Sequence, residues 1–315
     1  MPRRSVSSTK VMKDTTYDVN SEKTPTKNRQ LICKSKKMPL PLHLLKYVGM
    51  ISKNKVKLIR SLEHKKYRKE LGLFVAEGPK VVGDLLCAGQ LPKMLVATPE
   101  GIDMMEKRGI DCTKVQETGT EYIMVTAGEL RKMSFLQHPQ EVLGVFPLPC
   151  KGQDAVMTED SMKIKGLVLA LDGVQDPGNL GTIIRIADWF GIETIYCSPD
   201  TADAYNPKVV QATMGSISRV HIMYTDLTAL IDKQPESMPV YGTLLDGENM
   251  YEANLSAEGI IVMGNEGNGL TDAVRQRLTH RLLIPSYPPD SPTAESLNVA
   301  VATAIVCAEF RRLRV

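Results

Sequence analysis

From residue 167 onward, short unbroken apolar runs alternate with segments whose apolar residues recur at helical spacing. Residues 167–171, 194–197, 220–224, 240–244, 259–263 and 281–284 read as strands, and 180–190, 207–214, 271–278 and 297–312 as helices. Strands that are apolar on both faces belong to a parallel sheet covered on two sides, so this part of the chain is predicted to be an open α/β sheet. A smaller α/β pattern precedes it, with strands at 73–76, 93–97, 122–125 and 142–146 and helices at 78–88 and 129–133. Pro147, Pro149 and a polar stretch at 151–165 interrupt the periodicity between the two. The pattern predicts two α/β domains, over 50–147 and 166–315, with 148–165 as a linker.

Ahead of residue 50 the pattern fades. Residues 1–49 are rich in Ser, Thr, Lys and Pro, and their few large apolar side chains cannot offset the cost of chain ordering; a disordered basic leader is expected. Asp14, Asp18 and Glu22 count against an organelle transit peptide, and translation from Met50 is the alternative. Residues 51–69 differ in kind. Val56, Ile59, Leu62 and Tyr67 form a stripe compatible with a helix or helix-turn, while Lys53, Lys55, Lys57, Arg60, Lys65, Lys66, Arg68 and Lys69 crowd its other faces. The chain's net charge of +3 therefore hides a polarity: residues 1–70 hold nineteen Lys and Arg against five Asp and Glu. Such a basic face is either merely solvated or, as the crowding of like charges favours, placed to meet nucleic-acid phosphates.

Composition excludes several classes. With 43% hydrophobic residues over 315 positions the chain can bury sizeable cores. It has no apolar run of about eighteen residues and no apolar signal-peptide segment, so a soluble, cytoplasmic protein without a membrane partner is expected. The six cysteines, at 33, 87, 112, 150, 197 and 307, include no C-x-x-C pair, and the five histidines lack ligand spacing. Reduced thiols and no metal centre are expected.

Three short signatures then follow in order: Asn179, Gly181 and Arg185; the run Met263-Gly-Asn-Glu-Gly-Asn-Gly-Leu270; and Glu295-Ser-Leu-Asn-Val-Ala-Val301. Each places polar residues at the mouth of a predicted helix, near the carboxyl end of a strand or after a turn, where open parallel sheets bind ligands. Singly, each has a plainer reading: Asn179 as an N-cap with Arg185 a surface charge, the glycines as a helix entry, and Ser296 or Asn298 as a cap. A cap accounts for only one of Ser296 and Asn298, and a carboxylate set between glycines, Glu266, is exposed to whatever lies over the sheet. Gly264, Gly267 and Gly269 run G-x-x-G-x-G rather than the dinucleotide G-x-G-x-x-G, and no Walker A loop is present.

In this order, N-x-G-x-x-x-R, M-G-N-E-G-x-G-L, and I-P followed by E-S-L-N-V-A-V-A closely resemble the SpoU family of RNA 2′-O-ribose methyltransferases, within the SPOUT superfamily. The resemblance covers most of 166–315. Residues 56–147, including 57–60, Phe74-Val-Ala-Glu-Gly78 and His138-Pro-Gln140, also resemble that family's N-terminal substrate-binding domain, which is ribosomal-protein-like. The resemblance implies a deep trefoil knot in the C-terminal domain, a topology that periodicity cannot reveal. It implies S-adenosylmethionine as cofactor, RNA as partner, and a homodimer with the active site near the subunit interface. The cofactor-lining positions it implies are Thr243, Leu244, Met263, Gly264, Asn265, Gly267, Ile284, Ser296 and Leu297; the catalytic ones are Asn179, Arg185, Glu266, Ser296 and Asn298.

Moving a methyl group from a sulfonium to a ribose 2′-hydroxyl needs no metal. It needs the hydroxyl oriented, its proton accepted and the neighbouring phosphate held. Guanidinium stays protonated, so Arg185 is read as a bidentate phosphate clamp rather than a base. Asn179 positions Arg185 or the ribose, Glu266 orients one of them, and Ser296 with Asn298 fixes cofactor and substrate. One departure stands out: between Pro285 and Glu295 the family usually has a short loop containing Gly, whereas this chain has a Gly-free loop with Pro288, Pro289 and Pro292, so the pocket lip is expected to differ. Ribosomal RNA is the expected substrate, because a separate RNA-binding domain precedes the catalytic one. Transfer RNA, a non-catalytic RNA-binding or assembly factor of the same fold and, more distantly, a dinucleotide-dependent enzyme are the alternatives.

Overall fold

The computed structural model describes residues 51–149, 164–288 and 294–312. The expected leader, most of the expected linker, Cys33, Cys150 and the middle of the Pro-rich loop lie outside the described residues.

The first half runs α1 (Lys53–Ser61), α2 (Lys65–Leu71), β1 (Leu73–Glu77), α3 (Pro79–Cys87), β2 (Met94–Ala97), α4 (Pro99–Lys107), α5 (Cys112–Glu117), β3 (Glu121–Met124), α6 (Ala127–Met133) and β4 (Val142–Pro147). Its strands form a sheet ordered β1-β4-β2-β3, antiparallel except between β2 and β3. The basic segment is two helices: the Ser52 side chain caps α1, and Gly72, left-handed at φ 63°, ends α2. Ile59 and Leu62 of the apolar stripe are buried, whereas Tyr67 is exposed. Helices α4 and α5 are absent from the sequence reading. Both are short, and their signal lies in the caps Thr98, followed by Pro99, and Asp111, whose side chains accept first-turn N–H groups.

The second half runs β5 (Leu167–Asp172), α7 (Pro177–Trp189), β6 (Thr194–Cys197), α8 (Pro207–Ala212), β7 (His221–Tyr224), α9 (Leu227–Asp232), β8 (Val240–Asn249), β9 (Gly259–Gly264), α10 (Asp272–Arg275), β10 (His280–Leu283) and α11 (Val299–Arg312). Its strands are ordered β10-β8-β9-β5-β6-β7, and every neighbouring pair is parallel. The open parallel α/β sheet is thus present, with α9 as an additional short helix and α10 shorter than the periodicity predicts. Strand β8 departs most from expectation. Its pairing with β10 jumps from Arg281 opposite Gly242 to Leu282 opposite Glu248, so residues 243–247 loop out of the ladder.

Pleat alternation explains how the two sheets share a core. Leu167, Leu169 and Leu171 of β5 and Ile261 and Met263 of β9 pack into one cluster with Phe74 and Ala76 of β1; Val168, Ala170, Ile260 and Val262 point into another on the opposite face. Each such large apolar side chain contributes about 1.5–3 kcal/mol when fully buried. The Phe74 ring lies 5.0 Å from that of Tyr205, just before α8, and so joins the two halves. Helices α7 and α8 pack closely at Gly181, where an added Cβ would lie 2.4 Å from that of Ala212. Among the described residues no helix is long and apolar enough to cross a membrane. No group of three or more His, Cys, Asp or Glu among them is placed to hold a metal.

Candidate active site

The three signatures meet at the carboxyl ends of β5 and β9. Asp172, the last residue of β5 and nearly buried, accepts hydrogen bonds from Thr271 N at 2.7 Å and Thr271 Oγ1 at 2.9 Å, which ties that strand end to the loop after β9. The cap of α7 is Asp176, not Asn179: its Oδ1 accepts from Asn179 N at 2.8 Å, and Pro177 occupies the first helical position. An Asp-Pro pair just ahead of the first signature was the sequence signal for this cap. The Asn179 side chain is left available for other contacts. At α11 the capping reading holds for Asn298, whose Oδ1 accepts from Ala300 N at 3.0 Å and Val301 N at 3.3 Å, while Ser296 precedes the cap. The second signature is a closed turn rather than a helix mouth. Asn265 and Gly269 exchange backbone hydrogen bonds of 2.9 and 3.0 Å, and α10 begins only at Asp272.

One residue from each signature then joins a continuous chain. Asn298 Nδ2 donates to Asn179 Oδ1 at 2.9 Å, and Asn179 Nδ2 donates to Glu266 Oε1 at 3.0 Å. The amide orientations follow from the cap: backbone N–H groups claim Asn298 Oδ1, so its Nδ2 faces Asn179, and the Asn179 Nδ2 must face the carboxylate. Glu266 also accepts from Gln175 N and Asp176 N, each at 3.3 Å. Partial burial alone would raise its pKa, but the bonds from Asn179, its own backbone, Gln175 and Asp176 outweigh that and hold the carboxyl below its ordinary value of 4.5. Glu266 is therefore ionised at neutral pH and spent on anchoring, a poor proton acceptor. Glu266→Gln is expected to lower kcat about tenfold, as for other positioning contacts, with cofactor affinity nearly unchanged; steady-state rates beside calorimetric titration of S-adenosylmethionine check this.

Arg185 and Ser296 are not in this chain. Arg185 lies six residues beyond Asn179, about 9 Å along the helix axis, exposed and without a hydrogen bond or ion pair among the described residues. Its guanidinium is free to take a ligand. Ser296 faces the adjoining cavity.

That cavity, about 580 Å3, is walled by the β8 loop-out, the turn after β9, the end of β10 and the approach to α11. Every residue of the implied cofactor set lines it, from Thr243 and Leu244 through Met263, Gly264, Asn265 and Gly267 to Ile284, Ser296 and Leu297. Leu244, Met263, Ile284 and Leu297 offer apolar surface for an adenine ring, and Glu266 places the polar chain at the wall, so these residues fit S-adenosylmethionine. The sequence reading missed Asp246 and Arg275, which also line the cavity. They pair at 2.6 Å, with Arg281 3.4 Å from the same carboxylate oxygen. No local pattern signals a pair that only the loop-out brings together.

On the small domain the basic residues divide. Lys53, Lys57, Lys65, Lys66 and Lys69 are exposed and make no ion pair among the described residues. Lys55 pairs with Glu121, while Arg60 donates to Ser134 O at 2.9 Å and lies 4.9 Å from the Phe135 ring centroid. Arg68 corrects the sequence reading: it is 2% exposed, paired with Asp203, and cannot reach a phosphate.

Residues 166–308 match the SpoU rRNA Methylase family, and residues 53–144 match the MRM3-like substrate binding domain. The chain is 31% identical over 270 residues to the 23S rRNA (guanosine(2553)-2′-O)-methyltransferase RlmP of Bacillus subtilis, covering 85% of this chain and 100% of that one. This chain belongs to the SpoU family. An S-adenosylmethionine-bound rRNA methyltransferase from Sinorhizobium meliloti superposes on it with a TM-score of 0.72 at 31% identity, covering 85% of this chain and 98% of that one. The SpoU methyltransferase AviRb of Streptomyces viridochromogenes shares the fold, with a TM-score of 0.67 at 22% identity and coverages of 84% and 98%. In SpoU terms, the three signature motifs of this chain converge on one hydrogen-bonded cluster at the edge of one cavity.

Proposed function

We propose that this chain methylates a ribose 2′-hydroxyl of ribosomal RNA, with S-adenosylmethionine as methyl donor. The observation that carries this reading is the Asn298–Asn179–Glu266 chain, which ends at the wall of a cavity lined by every residue of the implied cofactor set. When bound, the cofactor would supply an electrophilic methyl on a sulfonium to the 2′-oxygen and would leave as a neutral thioether, the hydroxyl proton passing to solvent water. The chain's own residues do the placing. Arg185 holds the phosphate beside the target ribose through its two-pronged guanidinium and steadies charge developing on the oxygen. Asn179, fixed on both sides, sets the floor on which the ribose rests. Glu266 anchors Asn179 and the 175–176 backbone, and Ser296 contacts the cofactor. The exposed lysines of α1 and α2 hold the RNA backbone.

The finer architecture belongs to the same reading. Loops 243–247 and 264–270 and the segment 294–298 contribute to one cavity, as a C-terminus threaded into a trefoil knot would arrange them. The preceding mixed sheet is the ribosomal-protein-like substrate domain. Trp189, Leu297 and Val301 on and beside α7 and α11 are 85%, 50% and 50% exposed, a burden that a second copy of the chain would relieve; Arg185 on α7 would then act at a shared site. Cys112, Cys197 and Cys307 are buried thiols outside any disulfide, consistent with a reducing cytoplasm.

The test is direct. Purified chain, methyl-labelled S-adenosylmethionine and ribosomal RNA should give label resistant to alkaline cleavage at one ribose, and RNA from cells lacking the protein should lose that mark. Cofactor and RNA binding with no label transfer would replace the reading with the non-catalytic assembly factor.

A further inference from the structure

The loop between β6 and α8 touches both the basic helix pair and the backbone around the site. At one end is Arg68, in α2. Its Nη1 donates to Leu62 O at 2.8 Å and Glu63 O at 2.7 Å, binding α2 to the end of α1. Its Nε and Nη2 donate to Asp203 Oδ2 at 3.1 and 2.5 Å. The two side chains are 2% and 16% exposed. Within the same loop Ala202 N donates to Val174 O at 2.9 Å. Ser198 Oγ accepts from Gly173 N at 2.8 Å and donates to Asp200 Oδ1 at 2.5 Å. Gly173 O in turn accepts from Asn265 Nδ2 at 2.6 Å, and the next residues, Gln175 and Asp176, hold Glu266. Tyr224 stiffens the loop, its hydroxyl accepting from Ala204 N at 2.8 Å and donating to Ala202 O.

We infer that Arg68 and Asp203 are positioning residues that register the RNA-holding helix pair against the loop framing the methyl-transfer site. The inference rests on the reading that the exposed lysines of α1 and α2 hold RNA. A buried ion pair is a weak source of stability, since well-packed apolar side chains often replace it without loss. A guanidinium locked to two carbonyls and a carboxylate instead fixes direction as well as distance. The pair leaves the lysines that hold RNA untouched, so its loss changes where the ribose is presented rather than whether RNA binds.

Asp203→Asn in the full chain is expected to lower kcat on a ribosomal RNA fragment about ten- to a hundredfold, the size of effect that a displacement near 1 Å produces. RNA KM and the calorimetric dissociation constant for S-adenosylmethionine should stay within about twofold, since neither binding surface is altered. Asp203→Glu, which returns the carboxylate, should recover part of the lost kcat. A purely structural pair would lower the melting temperature yet leave kcat intact well below it. Unchanged kcat in folded Asp203→Asn overturns the inference, and Arg68→Lys gives the same reading if that variant does not fold. The Lys65→Glu/Lys66→Glu variant separates the premise: raised RNA KM supports the RNA-holding face, and unchanged KM removes that face and the inference built on it.

Discussion

Arg185→Ala is expected to lower kcat for RNA methylation by about 10²- to 10³-fold, the scale seen when a preorganised donor to developing negative charge is removed. The expectation comes from where the fold leaves this side chain. Helix α7 is fixed at its start by Asp176 and Pro177 and near its end by Arg311, which donates to Phe190 O at 2.8 Å and Gly191 O at 3.1 Å. Arg185 rides on this rigid element, exposed and without a protein partner among the described residues. The mutation therefore removes no internal contact, and the melting temperature and the calorimetric affinity for S-adenosylmethionine should hold. Arg185→Lys tests the geometry: an ammonium keeps the charge but not the fork, so a loss of about tenfold or more is expected from a bidentate clamp. Near-normal turnover of the lysine variant would make the bidentate role wrong. The pH profile separates clamp from base. If the side chain clamps rather than accepts the proton, Arg185→Lys should lower the rate at every pH without moving the acid limb.

The sequence made the site residues visible because they sit where periodicity breaks, at strand ends, with polar atoms and glycines in place of apolar side chains. It could not show which of them touch. Asn179 and Asn298 are 119 residues apart, and Glu266 lies 87 from Asn179; only the stacking of β5 beside β9 and of α7 beside α11 brings them within hydrogen-bond reach. Arg68 misled for the same reason. Among Lys65, Lys66, Tyr67 and Lys69 it reads as one more surface charge, and its burial is decided by Asp203, 135 residues away. Local chemistry was also overlooked at helix starts: Thr98, Asp111 and Asp226 each accept first-turn N–H groups of helices absent from the sequence reading. The loop-out of β8 was illegible for a different reason. Thr243, Leu244 and Leu245 continue an apolar run, and only the jump in register against β10 expels them from the ladder toward the cavity.

Gly264→Ala should weaken S-adenosylmethionine binding by about a hundredfold and methyl transfer with it, whereas Gly267→Ala, three residues on in the same turn, should leave the turn's own geometry intact and cost less, because overpacking a tight site costs about 1–3 kcal/mol and no protein atom crowds a methyl at Gly267. The contrast is steric. A Cβ at Gly264 would lie 2.4 Å from the carbonyl carbon of Gly269 and 2.7 Å from both its oxygen and Leu270 N, all backbone atoms that no rotamer can move aside. A Cβ at Gly267 would meet only Asn265 Oδ1, at 3.6 Å. To admit the methyl at 264, the turn must swing off the end of β9 and stretch the paired Asn265–Gly269 bonds of 2.9 and 3.0 Å. Asn265, which holds Gly173 O, and Glu266, which holds Asn179, move with it, so one methyl group disturbs the cavity wall and the polar chain together. Calorimetric titration of both variants, with circular dichroism confirming that each is folded, reads the difference. Equal affinities in the two would mean that the turn after β9 is not the wall against which the cofactor binds.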